Sequence, residues 1–371
     1  MSLRTPICSL LGIEHPVVQA GMAGAAGPEL VAAVSNAGGL GILPGLNVAP
    51  QRLREQIRKV RALTSRPFGV NLWLHADMWP PVDVATIPAA TVDAVRRTLD
   101  ALRAQLGLPA SAAAPTSSPD IVGGAFDVIV EERVPVFTAA VGEPTLDMIR
   151  RCHAQGTTVF AMVTTARQAR AAEGAGVDVI VAQGSEAGGH RSLGTKPGAR
   201  EAGGVGTLAL VPQVVDVVRV PVLAAGGIAD GRGLAAVLAL GAQGAQIGTR
   251  FVATQESTVA EFRKKAVLEA ESEETAITDV VSGLWSRYVR NTYISEYEKT
   301  GAPVLTVHAQ TRFAQDIFDD AARRQDAAWL PLATGQSVGL VHDIPRAADV
   351  VHAVVAEAER IIATLGRSLA R

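Results

Sequence analysis

Residues 177–192 read VDVIVAQGSEAGGHRS, a β-type run followed at once by a glycine-rich loop. The run 177–181 predicts a buried strand, because short apolar segments bounded by turn residues are typical of strands in parallel sheets. Gly188 and His190 follow where that strand should end. Glycine lets the backbone approach a flat ligand closely, and histidine can transfer a proton near neutral pH. The loop alone is equally compatible with a solvent-exposed turn.

The composition predicts a large globular protein. Of the 371 residues, 48% are hydrophobic and only 19% are charged, which favours an extensive buried core over disorder. A formal net charge of −2 gives no field that would attract nucleic acid or an anionic membrane. No apolar stretch is long enough for a transmembrane helix, and polar residues and prolines interrupt the N-terminus where a signal peptide would need a continuous apolar core. A cytoplasmic location is therefore expected.

Strand patterns alternate with helical patterns along most of the chain, and this alternation predicts the fold. Strands are predicted at 16–20, 40–43, 68–72, 134–139, 157–162, 177–182, 221–225 and 243–247. Eight strands with intervening helices favour a closed (β/α)8 TIM barrel. A doubly wound open sheet is the alternative. It usually carries a GxGxxG loop after its first strand, a spacing that residues 21–24 (GMAG) lack.

The pattern changes in two places, which suggests the domain organisation. Residues 74–120 are irregular and rich in proline, and we interpret them as an excursion over the barrel top that contains one helix. Residues 255–331 are charged and helix-rich, which suggests a small second domain. The barrel would then comprise 1–254 and 332–371, and a long amphipathic helix in the last segment would return to close it.

Two fragments near the end of the predicted barrel suggest a phosphate site. Backbone N–H groups freed by small residues bind a phosphate dianion well, and barrels usually place such a site after their last two strands. Glycines at strand ends also serve tight turns, so each fragment alone has a structural explanation. The candidate residues after the seventh predicted strand are Gly226 and Gly227, and those at the end of the eighth are Gln246, Ile247, Gly248 and Thr249.

Other candidate side chains also follow strand ends at the same predicted barrel mouth. The amides of Asn71 and Gln183 could hydrogen-bond the edge of a ring, and Met22 could cover its face, although a turn or simple packing explains each equally well. With the phosphate site, these groups suggest flavin mononucleotide (FMN) lying across the barrel top, with His190 as a base beside it. Glu186 could orient the imidazole or hold the loop. No metal centre is predicted, because no Cys, His and Asp cluster has ligand spacing.

Seven segments, in order along nearly the whole chain, resemble the nitronate monooxygenase family, formerly called 2-nitropropane dioxygenases. The segments are PVVQAGMAG (16–24), AVSNAGGLG (33–41), PFGVN (67–71), AQGSEAGGHRS (182–192), PVLAAGGIADGRG (221–233), GAQIGTRFVAT (244–254) and GQSVGLV (335–341). The chain departs from the family pattern at Gly21, where proline is usual, at 137–142 and at 334–337. These departures lie on the substrate side of the expected flavin.

The resemblance implies an FMN-dependent oxidoreductase whose (β/α)8 barrel carries a small α/β domain inserted after strand eight. Its FMN would contact Met22, Asn71, Gln183, Gly188, Gly227 and residues 246–249. His190 matches the family's catalytic histidine, which takes the α-proton from a neutral nitroalkane, whereas a nitronate needs no base. The partners implied are a small nitronate or nitroalkane and O2, which reoxidises the flavin, and the products are a carbonyl compound and nitrite. A homodimer is compatible with the resemblance.

Three other functions are compatible with parts of the pattern. The first is an NAD(P)H-dependent FMN reductase acting on a quinone or an enoyl thioester. The second is a flavin-binding protein without turnover. The third, a barrel like that of IMP dehydrogenase, needs a nucleophilic cysteine in a mobile loop. Cys8 and Cys152 are both misplaced for that role, and neither belongs to a CxxC motif.

Overall fold

Eight parallel strands form a closed barrel in the computed structural model, which describes residues 3–193 and 204–369. In chain order, the described strands of the barrel and of a second, three-stranded sheet are Val17–Gln19 (β1), Leu40–Pro44 (β2), Phe68–Trp73 (β3), Val136–Ala140 (β4), Thr158–Val163 (β5), Val179–Gln183 (β6), Gly189–His190 (β7), Val222–Ala225 (β8), Gly244–Ile247 (β9), Thr275–Thr278 (β10) and Ser286–Val289 (β11). The barrel order is β1-β2-β3-β4-β5-β6-β8-β9, and β1 closes it by pairing with β9. The predicted TIM barrel is confirmed.

The barrel strands are apolar on both faces, because each face is covered. Val18, Ile42 and Phe160 are fully or almost fully buried in the cluster inside the barrel, whereas Val17 and Leu43 pack outward against the helices. A short N-terminal helix packs into the interior cluster from one end. Thr5, the residue before this helix, donates a hydrogen bond from its hydroxyl to the carbonyl of Gln243, which precedes β9. That helix closes the N-terminal end of the barrel and leaves the carboxyl end for a site.

The helices alternate with the barrel strands as expected. They are Pro6–Leu11, Pro28–Asn36, Pro50–Leu63, Ala89–Gln105, Val122–Glu131, Leu146–His153, Ala166–Gly174, Thr207–Val215, Gly231–Ala239, Thr249–Val252, Glu261–Glu269, Thr292–Lys299, Ala309–Phe313, Gln315–Arg324 and Ala347–Leu369. Short 3₁₀ turns lie at Val84–Thr86, Ser272–Glu274, Ala327–Trp329 and Gln336–Leu340. None of the helices in the described ranges is both long enough and apolar enough to cross a membrane.

Helix Val122–Glu131 was not predicted, and its glycines explain why. Gly123 and Gly124 lie in its first turn, and glycine is a poor helix former. A Cβ at Gly124 would lie 2.9 Å from Cγ of Pro50, at the start of the neighbouring helix. Glycine therefore permits a close helix–helix approach here at the expense of local helix propensity.

The excursion 74–120 packs against the segment that follows the barrel. Helix Ala89–Gln105 contributes Val95 and Leu99 to a hydrophobic cluster with Tyr293 and Ile317. The guanidinium of Arg103, almost fully buried, bonds the carboxylates of Asp100 and Asp316 and the carbonyl of Phe313. The boundaries 1–254, 255–331 and 332–371 stay a prediction, and this packing favours adding the helix to the second unit.

A three-stranded antiparallel sheet connects that unit to the glycine-rich loop. Its order is β10-β11-β7, and β7 is the pair Gly189 and His190. In the β11–β7 register His190 lies opposite Ser286. The position of His190 is therefore fixed by backbone pairing with a strand almost 100 residues later in the chain.

Candidate active site

A cavity of about 280 Å³ lies at the carboxyl end of the barrel strands. All but one of the predicted site residues line it, namely Met22, Asn71, Gln183, Gly188, His190, Gly226, Gly227, Gln246, Gly248 and Thr249. The exception is Ile247, whose side chain is buried in the cluster between the barrel and its helices. Because neighbouring residues of a strand face opposite sides, Gln246 faces the cavity and Ile247 packs in the core.

His190 is held in an aromatic environment beside this cavity. Its ring centroid lies 4.3 Å from that of Trp73, at an interplanar angle of 60°. Its Nε2 lies 2.8 Å from Oγ of Ser282. Burial lowers the pKa of His190 well below that of a free histidine, and the nearby His308 and His75 lower it further. The imidazole is thus neutral at neutral pH and able to accept a proton.

Two further histidines surround Trp73, and the sequence analysis did not identify them. The ring of His308 stacks on Trp73 with centroids 5.7 Å apart, and His75 is buried nearby with Nδ1 accepting from the backbone N–H of Asp77 at 3.1 Å. Burial lowers the pKa of His308 to about 4, and Arg312 and His75 contribute. We call His75, His190, His308 and Trp73 the histidine–tryptophan cluster. The long connections after β3 and β11 bring it together, so no local spacing indicates it.

Gln183 supports the histidine loop directly. Its side-chain Nε2 donates to the carbonyl of His190 at 2.9 Å, and its Oε1 accepts from the backbone N–H of Ser192 at 2.9 Å. Each end of an amide can make one further hydrogen bond, so these contacts leave capacity for a ligand. The structure thus gives Gln183 a positioning role in addition to the predicted contact with a ring.

Two buried arginines hold the start of the same loop. Arg191 donates to the carbonyls of Gln183 (3.0 Å) and Gly184 (2.5 Å), and Nε of Arg287 donates to the carbonyl of Ser185 (2.9 Å). Burial lowers the pKa of Arg191 to about 10, and the charge of Arg287 adds to this effect. These contacts satisfy carbonyls that the loop would otherwise bury without partners.

Asn71 and Glu186 are both tied to neighbouring elements. Nδ2 of Asn71 donates to the carbonyl (3.1 Å) and to Oγ1 (2.8 Å) of Thr138, so the side-chain oxygen is what Asn71 can offer a ligand. The Glu186 carboxylate accepts from the backbone N–H of Thr207 at 2.9 Å and from its Oγ1 at 3.0 Å. Of its two predicted roles, Glu186 therefore holds the loop, at the start of helix Thr207–Val215.

The predicted phosphate fragments meet at one part of the cavity wall. Gly226 and Gly227 have φ values of +106° and +74°, a backbone conformation that favours glycine. A Cβ at Gly226 would also lie 2.9 Å from the backbone nitrogen of Ala187. Gly248 precedes the short helix Thr249–Val252. The wall here is therefore mostly exposed backbone, which suits a ligand that needs close approach.

Neither cysteine belongs to this site. Cys8 lies in the helix that closes the opposite end of the barrel, and Cys152 lies in helix Leu146–His153. Burial raises the pKa of the Cys152 thiol to about 12, so it is a poor nucleophile. Within residues 3–193 and 204–369, no group of three or more metal-binding side chains could hold an ion.

Comparison with known proteins gives a consistent result. A family model described as nitronate monooxygenase matches residues 4–357. The chain is 34% identical over 362 residues to a probable nitronate monooxygenase of Staphylococcus saprophyticus subsp. saprophyticus, covering 98% of this chain and 99% of that protein. It resembles a nitroalkane oxidase from Streptomyces ansochromogenes with a TM-score of 0.87 at 32% identity, covering 97% of this chain and 99% of that one. FabK from Thermotoga maritima follows with a TM-score of 0.75 at 31% identity, covering 98% and 99%.

These relationships span almost the whole chain and include both units described above. They agree with the motifs in the sequence, and they identify the protein as an oxidoreductase. The chain belongs to the nitronate monooxygenase family.

Proposed function

We propose that this enzyme oxidises alkyl nitronates, and the nitroalkanes from which they form, with O2 to a carbonyl compound and nitrite, using FMN and with His190 as base. The observation that carries the proposal is a single cavity lined both by His190, a half-buried and neutral histidine, and by the glycine-rich wall at the ends of β8 and β9. Atoms and charge balance when two nitronate ions and one O2 give two carbonyl molecules and two nitrite ions.

The residues of the cavity fit FMN. Gly226, Gly227 and the backbone at Gly248 and Thr249 would hold its phosphate, because glycines without side chains leave the backbone N–H groups of this cradle open to close approach. Asn71 and Gln183 would contact the edge of its ring, and Met22 would cover a face. When bound, the flavin supplies the electron acceptor that passes reducing equivalents from the substrate to O2.

His190 moves the proton in this proposal. In a neutral nitroalkane the α-carbon carries a proton, which the imidazole would accept as the carbanion forms. A nitronate has already lost that proton, so its oxidation needs the cavity and the flavin without the base. Trp73 packs against the imidazole and Ser282 contacts Nε2, so the ring is held in one orientation for this transfer.

The pH dependence follows from the environment of His190. Its lowered pKa means that the neutral, proton-accepting form persists below the pH at which a free histidine becomes protonated. We therefore expect kcat/KM for a neutral nitroalkane to be level around neutral pH and to fall only in acid, with a midpoint below 6.5. Initial rates between pH 5 and 8 (roughly the span in which histidine acts) measure this. A midpoint at or above that of a free histidine contradicts the assignment.

Anaerobic mixing tests the electron donor. The purified protein, carrying its flavin, is mixed separately with a nitronate, NADH and NADPH while the flavin absorbance is followed. We expect the nitronate to bleach it, because in the proposed function the nitronate binds beside the flavin ring and reduces it. Bleaching by NADH or NADPH, but not by the nitronate, would favour the reductase acting on a quinone or an enoyl thioester. A bound yellow chromophore that no donor bleaches would indicate a flavin-binding protein without turnover.

A further inference from the structure

Arg263 is an unusual component of the cavity wall. It lies on helix Glu261–Glu269, and its side chain lines the cavity beside Val259 and Leu332. Among the described residues that line the cavity, the only other side chain with a full charge is Glu186. A largely apolar wall thus contains one guanidinium and one carboxylate.

The hydrogen-bonding capacity of this guanidinium is mostly unused. One terminal nitrogen donates to the carbonyl of Pro331 at 2.6 Å, whereas Nε is buried without a partner. Within the described ranges no carboxylate lies within 4.0 Å of it. Nearby cations differ, since Lys264 pairs with Glu261 at 2.9 Å and Arg250 pairs with Asp343 at 2.5 Å.

An unpaired cation in such a place is costly. Burial lowers the pKa of Arg263 from its usual value, yet an arginine stays protonated in proteins. A desolvated charge without a counter-ion is destabilising unless a ligand supplies the partner. Glu186 does not supply it, because its carboxylate lies more than 4.0 Å from the guanidinium and accepts from Thr207 instead. The wall therefore presents a positive charge for which the described chain offers no anion.

The cradle described above lacks such a charge. Its donors at Gly226, Gly227 and Gly248 are backbone N–H groups, which carry no net charge, and helix Thr249–Val252 is too short for a substantial dipole. A phosphate dianion or a nitronate in this cavity would thus find one full positive charge, that of Arg263. Guanidinium groups bind such oxyanions through paired N–H donors.

We propose that Arg263 binds an oxyanion of the ligand that fills the cavity, either the phosphate of the flavin or the anionic nitro group of the substrate. The proposal rests on the proposed function, because it takes an anionic ligand in this cavity as given. It assigns Arg263 a binding role that the glycine-rich motifs do not suggest.

The test compares FMN with riboflavin, which lacks the phosphate. Dissociation constants are measured by flavin fluorescence on flavin-stripped full-length protein for the wild type and for Arg263→Gln, Arg263→Lys and the exposed control Lys265→Gln. If the phosphate is the partner, Arg263→Gln weakens FMN binding by roughly tenfold to a hundredfold, because it loses a charged hydrogen bond. Riboflavin affinity then stays unchanged, Arg263→Lys recovers part of the loss, and Lys265→Gln behaves as the wild type.

The KM for the substrate tests whether the nitro group is the partner of Arg263. If the nitro group is the partner, FMN affinity is unchanged, and Arg263→Gln raises KM for a nitronate but not for a neutral nitroalkane. Unchanged FMN affinity together with unchanged nitronate KM overturns the proposal. Wild-type protein that binds neither flavin contradicts the proposed function instead. In that event calorimetry with inorganic phosphate decides the role of Arg263, since binding that Arg263→Gln abolishes supports it and the absence of binding overturns it.

Discussion

Replacing His190 by asparagine should lower turnover of neutral nitroalkanes by about 10²–10⁴-fold, the contribution of a positioned base. Turnover of the corresponding nitronates should be largely unchanged, because a nitronate has no α-proton to remove. The asparagine amide retains hydrogen-bonding capacity toward Ser282 but cannot accept a proton at neutral pH. Steady-state rates with the nitroalkane and with its preformed nitronate measure the two effects on one preparation.

The control for this experiment is His342→Asn, since His342 is an exposed histidine that does not line the cavity. Its rates should match those of the wild type on both substrates. Flavin content and thermal midpoint are measured for each variant, so that loss of cofactor is distinguished from loss of the base. Equal losses on nitroalkane and nitronate would show that His190 serves binding or folding, and no loss would remove it from the reaction.

The glycine-rich loop shows how much the sequence could predict. Parallel strands bring their carboxyl ends to one end of a barrel. For that reason, loops far apart in the chain, such as 182–192 and 246–249, could be expected to share a site before the fold was known. The same reasoning placed Asn71 and Met22 on one wall. The side chain of Ile247 packs in the core, as strand alternation with Gln246 predicts, and its contact with FMN stays a prediction.

The part of the site that surrounds His190 could not be predicted in this way. Trp73 contacts His190 from the last position of β3, whereas Ser282, which contacts His190, and His308, which stacks on Trp73, come from the segment that follows the barrel. Their contacts depend on the pairing of β7 with β11, and neither periodicity nor a motif encodes such a long-range pairing. Arg263 likewise lies in the charged, helix-rich stretch 255–331, where the sequence does not distinguish it from a solvent-exposed cation. Its lack of a partner becomes visible only when the packing around Pro331 is known.

Replacing Gly188 by alanine should destabilise the fold and weaken flavin binding together. A Cβ at this position would lie 2.4 Å from the backbone nitrogen of Gly335 and 2.4 Å from the carbonyl carbon of Thr334. Neither atom can rotate away as a side chain could, so one of the two segments must shift. We expect the free energy of unfolding to fall by about 3 kcal/mol, the upper end of the usual cost of overpacking. Denaturant titration measures this change.

Flavin affinity should fall in the same variant, because the displaced segments hold the site. The backbone N–H of Gln336 donates to the carbonyl of Glu186, and that of Gly335 donates to Oγ1 of Thr249, so a shift at Gly188 affects both the loop and the cradle. We expect FMN to bind at least about tenfold more weakly, since one charged hydrogen bond is worth that much. Fluorescence titration with FMN measures it.

Alanine at two other glycines separates steric from conformational causes. Gly189 has a φ of +73° and open space around its Cβ position, so Gly189→Ala introduces backbone strain of about 1–2 kcal/mol without a clash. Gly174, at the end of helix Ala166–Gly174, has neither restriction, and Gly174→Ala should be neutral or slightly stabilising. If Gly188→Ala lowers the free energy of unfolding no more than Gly174→Ala does, segment 334–335 shifts easily to accommodate the new Cβ. The close contact between Gly188 and that segment would then not be what holds the histidine loop against the cavity.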